Sequence, residues 1–153
     1  KVLELAISLS LSDFAELHVA HAWEGVSESA LRGAFLQRPA AEVIAHDEQV
    51  RKLHDAGLDD LLSDVVKSRN EDALRYLSPK RHLVKGQARK EIPRLARSLE
   101  ADLVVLGTVA RIGVAGLFIA NTAEAILEQI ECSVLAVKPE GFETPVSLED
   151  LPD

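Results

Sequence analysis

Short apolar runs separated by helix-length segments constrain this chain more than any other feature. Residues 102–106 (DLVVL) read as the clearest strand, continuously apolar over its last three positions, and residues 133–137 (SVLAV) read as the last strand. Residues 16–23 (ELHVAHAW) and 80–85 (KRHLVK) read as two more. An apolar run of this length without polar alternation suits a strand covered on both faces. Helical periodicity fills the spaces between the runs, and strands that alternate with helices make a parallel sheet with helices on both faces.

The helices can be placed from their spacing. In residues 1–10, Val2, Leu5, Ala6 and Leu9 share one helical face, and Asp13 falls in the turn that follows. Ser27 and Ser29 are placed to cap a short helix over Ala30–Leu36, and Pro39 suits the first turn of a longer one. That helix runs to about Val66, with Val43, Val50, Leu53, Leu58, Leu61, Leu62 and Val65 at three- and four-residue spacing. A connector over residues 69–78, with a helical turn at Glu71–Leu77, ends at Pro79. Glu91 to Leu99 read as a helix with Ile92, Leu95, Ala96 and Leu99 inward, and Pro93 is tolerated there only in the first turn. Residues 122–131 form the last helix. Four strands are visible. A first strand before Lys1, placed centrally, is expected to complete a five-stranded sheet. The lack of any Met fits a chain whose natural start lies further upstream.

With 153 residues, 47% of them hydrophobic, the chain supports one domain with a real core. Residues 1–139 form the expected domain, and 140–153 an acidic, proline-containing tail. A net charge of −8 argues against nucleic acid or an anionic membrane surface as the main partner. Backbone amides can still hold a phosphate locally. Cys132 is the single cysteine, so no intrachain disulfide forms, which fits a reducing cytoplasm. It sits between helix and strand, where a small buried residue is expected. No run approaches the ~18 apolar residues of a membrane span. His18 and His21 point to opposite faces of their strand, and neither has a sequence partner at metal-ligand spacing. The sequence lacks H-E-x-x-H, G-x-S-x-G, C-x-x-C and the P-loop lysine motif, so turnover is not expected.

The candidate chemistry lies between Gly107 and Glu124. Gly107 ends a strand at the side of the sheet where ligands of open α/β folds bind. Thr108 follows it, and Gly113 and Gly116 loosen the loop. A helix opens at Asn121 or Thr122, with Glu124 placed to complete a capping box. In one reading the amides of Asn121, Thr122 and Ala123, with the Thr122 hydroxyl, hold phosphate oxygens. In the other they only start a helix. Arg111 either meets a phosphate or is solvent-exposed. Lys85 and Arg89 flank Gly86-Gln87-Ala88 at a second strand end and are further basic candidates.

This pattern resembles the universal stress protein family, whose nucleotide-binding members carry G-x2-G-x9-G-[ST] in the same loop. Aligned on Gly107, the chain reads Gly107-x2-Ala110-x9-Ala120-Asn121. QARKEIPRLARSLEADLVVLG and CSVLAVKP resemble the family's flanking elements, and AELHVAHAW its second strand. GTVARIGVAGLFIANTAE, followed by KPEGFETPV, is similar to the C-terminal half of the family's tandem E type. The resemblance implies an open, parallel, five-stranded α/β domain acting in stress response by ligand binding and assembly. It implies ATP or ADP as the candidate ligand, and homodimer or tandem-domain pairing through the last strand. Its site maps onto Gly107, Thr108, Ala110, Arg111, Gly113, Ala120, Asn121 and Thr122. The two alanines are departures. An alanine forced to positive φ at position 110 costs about 1–2 kcal/mol, and the Ala120 methyl stands where backbone would approach a phosphate. A degraded nucleotide loop is therefore expected, with a nucleotide sensor or slow ATPase of the same fold as the alternative.

Overall fold

Four strands and four helices alternate along the described part of the chain. The computed structural model describes residues 1–25, 40–69, 75–108, 121–139 and 141. In order, the elements are α1 (Val2–Asp13), β1 (His18–Trp23), α2 (Ala40–Arg69), β2 (Lys80–Lys85), α3 (Ala88–Ser98), β3 (Leu103–Gly107), α4 (Asn121–Leu127) and β4 (Ser133–Val137). The four strands fall where sequence spacing puts them. The expected helix at Ala30–Leu36 and most of the tail lie outside the described residues.

The strands pair in parallel, in two sheets rather than one. β1 pairs with β2, from His18 opposite Lys80 to Trp23 opposite Lys85. β3 pairs with β4, from Leu103 opposite Ser133 to Gly107 opposite Val137. Each pair is one strand–helix–strand unit. No ladder joins β1 to β3 among the described residues, so the expected five-stranded sheet is corrected to two two-stranded ones. Each pair completes its own parallel ladder, and among the described residues no backbone hydrogen bond links one pair to the other.

The core sits where α1 crosses the start of β1. Ile7 and Leu17 are its buried centre, packed by Leu3, Ala6, Leu11 and Val19, with Val65 and Leu77 closing it. This rotates α1 from the expected face. Ile7 and Ser10 are buried, whereas Leu5 is 37% exposed. The segment VLELAISLSL is apolar around most of its circumference, so its own periodicity does not select a face. The helix also runs through Asp13 and closes on Phe14, which sits in the left-handed region at φ 54°.

α2 is held on the sheet largely by polar ties. Leu58 is buried, but Leu53 and Leu61, expected inward, are 73% and 51% exposed. Arg81 of β2 reaches Asp55 at 2.5 Å and Asp59 at 2.8 Å, and Lys85 pairs with Asp47. His21 of β1 contacts His54.

α3 starts at Ala88, three residues before the expected Glu91. Pro93 therefore lies in the second turn, not the first, and its ring nitrogen cannot donate to the Arg89 carbonyl. The Gln129 side chain, just beyond α4, donates to that oxygen at 3.1 Å. α4 ends at Leu127, earlier than expected, and seats Ala123 and Ile126 as buried residues.

Candidate ligand site at the carboxyl ends of β3 and β4

β3 and β4 end side by side, with Gly107 opposite Val137. Thr108, the next residue, is buried. Its amide donates to the Val137 carbonyl at 3.1 Å, and its hydroxyl leans on the same oxygen at 3.4 Å. Both polar groups of Thr108 thus extend the ladder by one rung. A Cβ placed on Gly107 would meet the Val2 side chain at 3.7 Å, an ordinary contact. The described surroundings therefore do not require glycine there.

The far side of the loop is α4. Its backbone is helical from Asn121, Thr122 is exposed in its first turn, and Ala123 points into the protein. Ala110, Arg111, Gly113 and Ala120 lie outside the described residues. Thus Gly107 and Thr108 are placed against β4 and α1, and Thr122 stands at the helix start.

Beside this strand end runs an open groove of about 490 Å³. Lys1, just ahead of α1, and Leu5 of α1 line one side, and β4 contributes Leu135 to Val137, followed by Lys138 and Pro139. Sequence spacing alone misses it, because it forms between the first helix and the last strand.

At the other pair of strand ends the basic candidates are engaged. Lys85 pairs with Asp47 and lies 5.5 Å above the Trp23 ring, where the π face attracts its charge. Arg89 donates to the Gln87 side chain at 3.0 Å. Gly86, at φ 139°, turns the chain from β2 towards α3 while its amide donates to the Trp23 carbonyl at 2.8 Å. Cys132 is partly buried at the helix-to-strand junction.

The histidines of β1 have tertiary partners that sequence spacing did not reveal. His18 Nδ1 lies 2.9 Å from His82 Nε2, the rings stacked at 5.1 Å. On the other face His21 Nε2 lies 2.8 Å from His54 Nδ1. Burial, then the neighbouring His54, pushes the His21 imidazole below its ordinary pKa. Burial, then His18 and Lys80, does the same to His82. Among the described residues, no group of three or more His, Cys, Asp or Glu is placed to hold a metal ion. No described helix is long and apolar enough to cross a membrane.

Comparison with known proteins places this geometry. The profile of the universal stress protein family matches residues 1–138. Universal stress protein E of Escherichia coli (strain K12) is 44% identical over 72 residues, which are 47% of this chain and 23% of that protein. A universal stress protein E homolog of Haemophilus influenzae is 40% identical over 58 residues, 38% of this chain and 19% of that protein. Among solved structures, UspA of Lactobacillus plantarum has a TM-score of 0.65 at 14% identity, covering 89% of this chain and 86% of that one. A putative universal stress protein of Pseudomonas aeruginosa has a TM-score of 0.53 at 29% identity, covering 90% of this chain and 39% of that one. The chain thus matches only part of the length of its curated relatives.

Proposed function

The chain belongs to the universal stress protein family, and on that premise we propose that it acts in stress response by binding and assembly rather than by turnover. The loop after β3 holds adenine nucleotide weakly or not at all. One observation carries this reading: the Thr108 amide and hydroxyl, the first polar groups beyond the β3 glycine, are both directed to the Val137 carbonyl. A phosphate cradle works by donors left pointing at the ligand. Ala110 and Ala120, at the positions where nucleotide-binding relatives resembling this chain carry glycine, support the same conclusion.

Assembly is assigned to β4, as a homodimer or a tandem-domain pair, in the cytoplasm. Its ladder to β3 uses one edge, and the groove of Leu135 to Pro139 beside α1 supplies apolar surface next to the other elements of a partner.

Native mass spectrometry of the purified protein in millimolar ATP tests both parts. A dimer without nucleotide is the expected spectrum. A species carrying one ATP or ADP per domain would replace this reading with a nucleotide sensor. A monomer at micromolar concentration would remove the assembly through β4.

A further inference from the structure

We propose that the His21–His54 pair is a pH-sensitive clasp that holds α2 on β1 near neutral pH and releases it in acid. The geometry is specific. His21 Nε2 and His54 Nδ1 are 2.8 Å apart, their ring centroids are 4.9 Å apart, and the Trp23 ring lies 6.1 Å from His54. At that separation one ring donates its N–H to the lone pair of the other, so the contact needs at least one neutral imidazole. Two imidazoles on one tetrahedral zinc would stand about 3.3–3.4 Å apart, from bonds of about 2.0–2.1 Å. The observed distance therefore suits a shared proton better than a shared metal. Protonation of both rings removes the acceptor and sets two cations in contact.

The clasp matters because few of the described apolar side chains of α2 are deeply buried. Leu58 is its buried anchor, with Val65 reaching the core. Ionic ties add to these. Asp47 pairs with Lys85, and Asp55 and Asp59 pair with Arg81. Arg51, one turn before His54, is tied to Glu48. Carboxylates ordinarily titrate at about pH 4 and imidazoles at about 6.5. β2, beside β1, carries Arg81 and Lys85, each paired with carboxylates of α2. α1 packs towards β1 through Leu3, Ile7 and Leu11, and its charged residues Glu4 and Asp13 are at its ends. α3 also packs on β1. Its Arg94 is tied to Glu91 and its Arg97 to Glu131, Arg89 contacts Gln87, and Lys90 is exposed.

The sign follows from the depressed His21 pKa. The unfolded or released imidazole binds a proton near its ordinary value of about 6.5, and the docked one binds it lower. The clasp is at full strength above about pH 6.5 and weakens as pH falls from there through the lower docked value.

Amide hydrogen exchange on the intact chain at pH 7.5 and 5.0, corrected for intrinsic rates, reads the release directly. Protection across residues 40–65 of α2 is expected to fall at pH 5.0 relative to that of α3. In His54→Gln, which keeps a hydrogen-bonding side chain but does not titrate, the two pH values should give the same ratio. His21→Gln serves as the second variant if His54→Gln does not fold. Equal protection of α2 at both pH values in the parent protein overturns the proposal. So does an acid response that persists in the Gln variants, or one that opens α3 as much as α2. Zinc that binds at pH 7.5, raises α2 protection and loses its effect in His54→Gln would overturn it in favour of a metal site.

Discussion

The Gln129 side chain donates, at 3.1 Å, to the carbonyl of Arg89, the helical acceptor that Pro93 cannot serve. A proline in the second turn of a helix removes the donor that would reach four residues back. A side chain just past the next helix takes over that role, and also reaches the Ala125 carbonyl at 2.6 Å. The defect in α3 thus becomes a tie between α3 and the end of α4.

A double-mutant cycle follows from this contact. Gln129→Leu should lower stability by about 1 kcal/mol, the usual worth of one such hydrogen bond. In a Pro93→Ala background, where the helix regains its own donor, the penalty of Gln129→Leu should shrink. Urea unfolding of the four proteins gives the coupling. A penalty identical in both backgrounds would separate Gln129 from the proline.

Phe14 closes α1 in the left-handed region at φ 54° and is 81% exposed. A non-glycine residue there costs about 1–2 kcal/mol against glycine. Phe14→Gly should therefore raise the unfolding midpoint despite the loss of a large side chain, as read by thermal or urea denaturation. A lower midpoint would mean that the ring packs against something the described residues do not include.

The proposed weakening of the nucleotide loop predicts that a double substitution gains binding. Ala110→Gly with Ala120→Gly should raise ATP affinity by about tenfold, the equivalent of 1.4 kcal/mol and within the cost of forcing alanine to positive φ. Titration calorimetry on parent and double variant measures it. Unchanged affinity would remove the methyl groups as the obstacle.

The His18–His82 pair should leave a signature in stability against pH. The His82 pKa is pushed down by burial, then by His18 and Lys80. The unfolded chain therefore takes up this proton first as pH falls. The stabilisation is whole above about pH 6.5 and is lost below it, towards the lower folded value. His82→Gln should flatten the unfolding free energy between pH 7 and pH 5, followed by urea titration at each pH. A steeper loss in the variant would reverse the assigned sign.

The strand positions and the helix–strand alternation were legible because a strand and a helix each impress their own period on neighbouring residues. Residues 80–85 and 133–137 needed no tertiary information. The faces of α1 and α2 did. VLELAISLSL is apolar on most sides, and Leu53 and Leu61 have helical spacing yet stay exposed. The end of β3 at Gly107 was legible, but the contact that Thr108 makes there was not. Its hydroxyl is spent on Val137, 29 residues away, and only the β3–β4 register sets that contact.

The sequence by itself determined the parallel α/β alternation and the family resemblance, since both rest on local period and on motif spacing. Tertiary structure alone decided that the described strands form two separate pairs and that β1 meets a histidine on each face. It also decided that Gln129 serves the acceptor left by Pro93. The reason is physical: a partner 33, 40 or 64 residues away is selected by register and helix docking, and no local period carries that information.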